Sequence, residues 1–153
     1  MPIPDLSFHS STFYGLDVLE QMDFKPLYDK SIGIFTNKTA VNQKGSHILD
    51  LLKKHSKIDV KVIFTPQFGL FADQDKRFKM NNGEKYDPDH NARLVEVFGR
   101  NMKPPAWSVR DLDLIIIDIQ DTGVRFSTYV ATMTKILEVA SEWSLPVIVL
   151  DRP

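Results

Sequence analysis

The segment Asp111-Leu112-Asp113-Leu114-Ile115-Ile116-Ile117-Asp118 constrains this chain more than any other. Its apolar run carries no polar face, so a strand built from it must be covered on both sides, as a central strand of a parallel sheet is. A parallel neighbour needs a crossover, and the chain supplies one directly downstream. Tyr129, Val130, Met133, Ile136, Leu137, Ala140 and Trp143 recur at helical spacing with Lys135, Glu138 and Glu142 opposite, which predicts a helix whose stripe lies in the core. Leu145-Pro146-Val147-Ile148-Val149-Leu150 then predicts the next strand.

The same alternation runs upstream. Lys30-Ser31-Ile32-Gly33-Ile34-Phe35-Thr36 reads as a buried strand with Asn37-Lys38-Thr39 as its exit loop. Ser46 is placed to cap a helix carrying Ile48, Leu49, Leu51 and Leu52. Asp59-Val60-Lys61-Val62-Ile63-Phe64-Thr65 is a second strand, stopped by Pro66. A polar stretch over 67–92 holds Phe68, Leu70, Phe71, Phe78 and Tyr86, so an ordered excursion is expected there. Leu94-Val95-Glu96-Val97-Phe98-Gly99 reads as a short third strand, and Lys103-Pro104-Pro105 interrupts regular structure after it. Repeated strand, helix, strand order predicts right-handed crossovers and an α/β fold: a doubly wound, mostly parallel sheet of about five strands with helices on both faces. Residues 1–29 read as a lead-in segment, with Tyr14-Gly15-Leu16-Asp17-Val18-Leu19 as a short helical candidate, and 30–153 as the domain.

At 153 residues this is one domain's length, with 42% hydrophobic and 25% charged residues, which excludes collagenous and wholly disordered chains. Nineteen Lys and Arg against 20 Asp and Glu leave a formal charge of −1, so no global field gathers nucleic acid or an anionic membrane, and neither is expected as a partner. With no cysteine, disulfides, thiolate metal sites and cysteine nucleophiles drop out. The first residues carry no signal-peptide pattern and no apolar run is long enough to span a bilayer, which leaves the compartment unassigned. The chain reaches Asp151-Arg152-Pro153 directly after a strand pattern without a closing helix, and a fragment is one expectation.

Ligands of open parallel sheets sit at the carboxyl ends of the strands. Those ends carry Thr36-Asn37-Lys38-Thr39, Pro66-Gln67-Phe68-Gly69, the segment from Asp118 through Gln120, Asp121 and Gly123 to Arg125, and Asp151-Arg152-Pro153. Amide, hydroxyl, carboxylate and guanidinium groups on one rim suit a polyhydroxylated or anionic small molecule. The scattered glycines form neither G-x-G-x-x-G nor a Walker loop, and no G-x-S-x-G elbow occurs. His9, His47, His55 and His90 lack paired ligand spacing and read as surface residues. Two readings of the carboxylates stand open. Asp118, Asp121 and Asp151 act as acid, base, magnesium ligands or sugar acceptors, or Asp118 and Asp121 cap the next helix and hold Arg125 or Arg152 in ion pairs. Arg125 suits a bidentate clamp on a substrate carboxylate.

Taken in order, Gly15-Leu16-Asp17-Val18-Leu19, Gly33-Ile34-Phe35-Thr36-Asn37-Lys38-Thr39, Phe64-Thr65-Pro66-Gln67-Phe68-Gly69, the segment from Asp118 through Arg125 and Phe126 to Tyr129, and Leu150-Asp151-Arg152-Pro153 resemble the bacterial NamZ-type (YbbC-like) exo-β-N-acetylmuramidases, long catalogued as a domain of unknown function. The resemblance covers their N-terminal, Rossmann-like domain, and implies that the C-terminal domain completing the substrate cleft in the family lies outside residues 1–153. It implies removal of terminal N-acetylmuramic acid from peptidoglycan fragments in cell-wall turnover, no metal or organic cofactor, and usual export of family members. The implied sugar contacts are Asn37, Asp118, Gln120, Arg125, Tyr129, Asp151 and Arg152, with Arg125 facing the lactyl carboxylate. Glycoside cleavage needs a carboxylic acid to protonate the leaving oxygen. The family's acid is the Glu of a Pro-Glu-His-Gly turn, and here that position is Gln67, followed by Phe68. An amide has no proton of useful acidity, so Gln67 can bind but not protonate. Asp73, Glu84 and Asp121 are the carboxylates that remain as substitutes. A sugar-binding pseudoenzyme, or a fragment without independent function, are the alternatives.

Overall fold

The computed structural model describes residues 12–66, 79–81 and 84–152. Its strands are β1 (Lys30–Thr36), β2 (Ile58–Thr65), β3 (Lys79–Asn81), β4 (Glu84–Asp87), β5 (Ala92–Glu96), β6 (Leu114–Asp118) and β7 (Val147–Val149). The helices are α1 (Gly15–Gln21), α2 (Ile48–Leu52) and α3 (Tyr129–Glu142). One sheet has the order β3-β4-β5-β2-β1-β6-β7, with β5, β2, β1, β6 and β7 parallel and β3 and β4 antiparallel at one edge.

The fold is therefore the expected Rossmann-like α/β arrangement, with seven strands instead of about five. The two additional strands come from the stretch over 67–92, whose polar sequence carries no strand pattern; they form because β5 offers an edge on which Tyr86 pairs with Arg93 and Asp87 with Ala92. Residues 67–78 lie outside the described residues. All five parallel strands fall on the apolar runs: β1 at the expected bounds, β2 one residue longer, β5 displaced towards the N-terminus, and β6 and β7 shorter. Asp113 precedes β6 instead of belonging to it: its carboxylate accepts from the Ser31 amide (2.8 Å) and its amide donates to the Ser31 carbonyl (2.8 Å), tying the starts of β1 and β6 together.

Alternation along the strands builds two cores. One face carries Ile34, Ile63, Leu94 and Ile116 under α1 and α2, and the other carries Phe35, Phe64, Val95 and Ile117 under α3. α2 and α3 connect parallel strands on opposite sides of β1, which is why they cover opposite faces. The lead-in is part of this structure: Leu16, Leu19, Phe24 and Leu27 are buried in the same core as β1 and α2.

Two details depart from the sequence expectations. The residue capping α2 is His47, not Ser46, its Nδ1 accepting from the Leu49 amide (3.3 Å). The buried face of α3 is Thr132, Ile136, Val139 and Ala140, while Val130, Leu137 and Trp143 are exposed. The apolar stripe is thus rotated from the expected one, because Thr132 is accommodated inside through a hydroxyl bond to the Val97 carbonyl (3.3 Å).

Gly15 shows how tightly α1 is seated. Its amide donates to the Asp151 carbonyl (2.8 Å), and a Cβ there would lie 2.6 Å from Leu150 Cα and 2.8 Å from the Asp151 nitrogen. Backbone cannot step aside as a flexible side chain does. Gly15→Ala is expected to destabilise the protein by about 1–3 kcal/mol through overpacking, measured as a lower urea midpoint; an unchanged midpoint would show that α1 is not clamped to the β7 exit.

Candidate functional site

The chain order sets the location. After β1 the strands β2 and β5 are laid on one side, and β6 and β7 then on the other, so the topological switch point falls between β1 and β6, where ligands of doubly wound sheets bind. Two layers meet at that edge. The apolar row Leu94, Ile63, Ile34 and Ile116 is followed two residues later by Glu96, Thr65, Thr36 and Asp118, with Thr36 opposite Asp118 and Thr65 opposite Glu96. Because the side-chain period is two, the sheet switches from apolar to polar along one face at one level.

Above that level the exits of β1 and β6 are stitched together. Asn37 is buried, and its Oδ1 accepts from the Thr39 amide (2.9 Å) and hydroxyl (2.5 Å). The same hydroxyl oxygen accepts from the Gln120 amide (3.1 Å), joining the two βα loops. These bonds use the Asn37 oxygen, so the donor it can offer a ligand is Nδ2. His47, expected at the surface, is buried behind this loop and donates from Nε2 to the Asn37 carbonyl (2.9 Å); acceptance at Nδ1 fixes that tautomer. His90 is likewise drawn inward, its side chain only 5% exposed, between the Asp87 carboxylate (2.6 Å) and the Leu49 carbonyl (2.9 Å).

Each carboxylate takes a distinct environment. Asp121 accepts from the Ser127 hydroxyl (2.5 Å) and the Gly123 amide (2.7 Å). The Ser127 bond, then the Gly123 amide, then the Val130 amide at the start of α3 hold this carboxyl below its ordinary range. Asp121 is thus an ionised acceptor that orders the loop leading into α3, where Thr128 at the cap position makes no side-chain cap bond. Asp118 is fully buried. Its Oδ1 accepts from Arg152 Nε (3.2 Å) and Nη2 (2.7 Å), while Oδ2, like the buried Thr65 hydroxyl two strands away on β2, has no hydrogen-bond partner among the described residues. Burial raises the Asp118 carboxyl above its ordinary value, and Arg152 pulls it back in part.

Of the two open readings of Asp118, the structure realises the ion pair, with Arg152 as the partner and not Arg125. Arg152 also donates from Nη1 to the Val41 carbonyl (2.8 Å) and lies over the Tyr14 ring, 5.4 Å from its centre. Arg125 and Gln120 are exposed, and Arg125 forms no ion pair with a described residue. Tyr129 is half-buried at the first position of α3. Asp151 is exposed and meets α1 through its main-chain carbonyl. Gln67 and Asp73, the other two expected site residues, lie outside the described residues, as does Pro153. Thr39, named on the rim, and His47 and Ser127 join the site although none stood among the expected sugar contacts; each acts by holding a neighbouring group in place, which leaves no spacing signal. Among the described residues no group of three His, Asp or Glu side chains is arranged to hold a metal, and no helix there is long and apolar enough to cross a membrane.

Fold and rim define an α/β domain of Rossmann type whose polar groups gather at the β1/β6 switch point. The family model for the N-terminal part of exo-beta-N-acetylmuramidase NamZ matches residues 32–153, and the chain belongs to that family. Peptidoglycan beta-N-acetylmuramidase NamZ of Bacillus subtilis (strain 168) is 32% identical over 139 residues, which are 91% of this chain and 33% of that protein. Two crystal structures of DUF1343 family proteins from Bacteroides fragilis NCTC 9343 superpose with TM-scores of 0.79 and 0.71 at 30% and 28% identity, each over 92% of this chain and 34% and 35% of theirs. The chain spans about a third of the length of these relatives.

Proposed function

We propose that the β1/β6 rim binds the terminal N-acetylmuramic acid residue of peptidoglycan fragments, as one wall of a muramidase-type cleft. In this reading Asn37 and Gln120 meet hydroxyl and acetamido groups, Asp121 serves as an ionised acceptor, and the exposed Arg125 takes the lactyl carboxylate through a charge-assisted fork. The observation that carries it is the 3.1 Å bond from the Gln120 amide to Thr39, which brings polar groups from two separate βα loops to one place at the switch point. Exposed Val124, Phe126 and Val130 border this segment and suit the apolar side of a cleft whose second wall belongs to the remainder of the family architecture.

A second reading, sugar binding without turnover, is favoured by one feature of the sequence: Gln67 and Phe68 occupy the positions where the family resemblance expects Glu and His.

The test is calorimetric titration with N-acetylmuramic acid and with N-acetylglucosamine, which lacks the lactyl group. Muramic acid is expected to bind at least roughly tenfold more tightly, and Arg125→Ala to remove that preference, since a charge-assisted pair contributes about 1.5–3 kcal/mol. Equal affinities, or no heat with either sugar, contradict the proposal.

A further inference from the structure

We infer that Asp118 and Arg152 are positioning residues: the Asp118 carboxylate fixes the Arg152 guanidinium, which holds the Val41 carbonyl and thereby sets where residues 37–47 present Asn37 and Thr39 at the rim. The inference rests on the saccharide reading for its consequence, but its geometry is independent of it.

Residues 37–47 are closed on themselves by the Val41–His47 bridge and by Asn42 Oδ1, which accepts from the Lys44 and Ser46 amides, so contacts to other elements set where this loop sits as a unit. They contain no helix and are followed only by the five-residue α2. Their tip is fastened to α1, with the Gln43 amide donating to Asp17 (3.0 Å) and Asn42 Nδ2 to Glu20 (2.9 Å). Their base faces the strand ends, where the Gln120 amide holds Thr39 (3.1 Å) and Arg152 reaches Val41 from 111 residues away in sequence (2.8 Å). Two N–H groups of the fork are spent on a single oxygen of Asp118 and a third on Val41, while the Tyr14 ring supports the guanidinium plane. Main-chain bonding of Gly15 to Asp151 keeps the arginine's own backbone in place. One group thus couples the end of β6, the exit of β7, the entry to α1 and the loop of β1.

The pair is poorly arranged for stability alone. Asp118 is wholly buried, yet its second oxygen has no partner among the described residues, whereas a buried charge kept for stability has all its lone pairs satisfied. What the arrangement secures is direction: a planar fork aimed at one carbonyl.

Arg152→Lys tests this, because lysine keeps the charge beside Asp118 but cannot span both Asp118 and Val41. Asp118→Asn is the companion variant, retaining shape and one acceptor. Amide hydrogen exchange is followed by NMR on the full chain at Thr39, Val41 and Gln120, with Ile34 and Ile116 of the central strands as reference, and N-acetylmuramic acid affinity is measured in parallel. In Arg152→Lys exchange at the three rim amides is expected to rise about tenfold or more with the reference amides unchanged, and sugar affinity to fall about tenfold; Asp118→Asn, which keeps one acceptor for Arg152, is expected to change both in the same direction by less. Native exchange at the rim amides in both variants overturns the inference. So does uniform loss of protection across the sheet, which would make the pair a general stability element. If the native protein binds no sugar, the saccharide reading fails while the exchange comparison still decides the role of the pair.

Discussion

Asp118→Ala is expected to cost about 3–5 kcal/mol, the range for breaking a buried ion pair by removing one partner. The loss arises from what remains. The Arg152 side chain is only 11% exposed, and without the carboxylate its Nε and Nη2 lose the acceptor they share. Set against a total stability of about 5–15 kcal/mol for a domain of this size, the variant approaches unfolding. Urea denaturation measures the difference, and a loss below about 1 kcal/mol would mean that the guanidinium finds water or another acceptor. Asp118→Asn is expected to be milder, because the amide retains a carbonyl for Arg152 and escapes the desolvation of a charge. The two variants also report on pH. Burial holds the native Asp118 carboxyl above its unfolded value, so this group favours folding most below the unfolded range and its contribution falls as pH rises through the folded value. Asp118→Asn removes that slope. Asp121 has the opposite sign: held low by Ser127 and Gly123, it supports folding above the unfolded value and loses this as pH falls through the folded one.

The second large effect concerns chemistry. Gln67→Glu is expected to raise hydrolysis of a chromogenic N-acetylmuramic acid glycoside by a factor of roughly 10²–10⁴, the usual contribution of general acid catalysis. The reasoning is one of proton supply. Departure of the aglycone oxygen needs a group that can surrender a proton at neutral pH, and a carboxylic acid can be tuned to do so while a primary amide cannot. A chromogenic leaving group lowers that demand, so the ratio of the two proteins is expected to grow as the leaving group becomes more basic. Equal turnover by native protein and variant, across leaving groups, would show that another acid serves, with Asp73, Glu84 and Asp121 as the residues to replace next.

Much of this architecture is written in local sequence. Ile32 to Phe35, Val62 to Phe64 and Leu114 to Ile117 are apolar on both faces, which only central parallel strands require, and the sheet has them side by side. β3 and β4 carry no such signature, because they run antiparallel beyond β5, outside the doubly covered centre of the sheet, where an exposed polar residue such as Lys85 is tolerated. The facing of α3 escapes the periodicity for a different reason: Thr132 counts as polar, yet its hydroxyl is satisfied by a carbonyl 35 residues away. At the rim, the residues that end the strands were legible from the strands themselves. Which arginine pairs with Asp118 was not, since Arg125 and Arg152 are equally plausible from spacing and the choice follows from β7 lying beside β6. The inward placement of His47 was hidden likewise, depending on an Asn37 carbonyl that only the loop's path brings within 2.9 Å.

Chemical-shift mapping with unlabelled N-acetylmuramic acid on the isotope-labelled chain bears most directly on whether the switch-point rim is the sugar site. Saturable shifts at the amides of Asn37, Thr39, Gln120 and Asp121, and at the side-chain amide of Asn37, are the expected result. Shifts confined to other surfaces, or none at millimolar sugar, would contradict the placement of the site between β1 and β6.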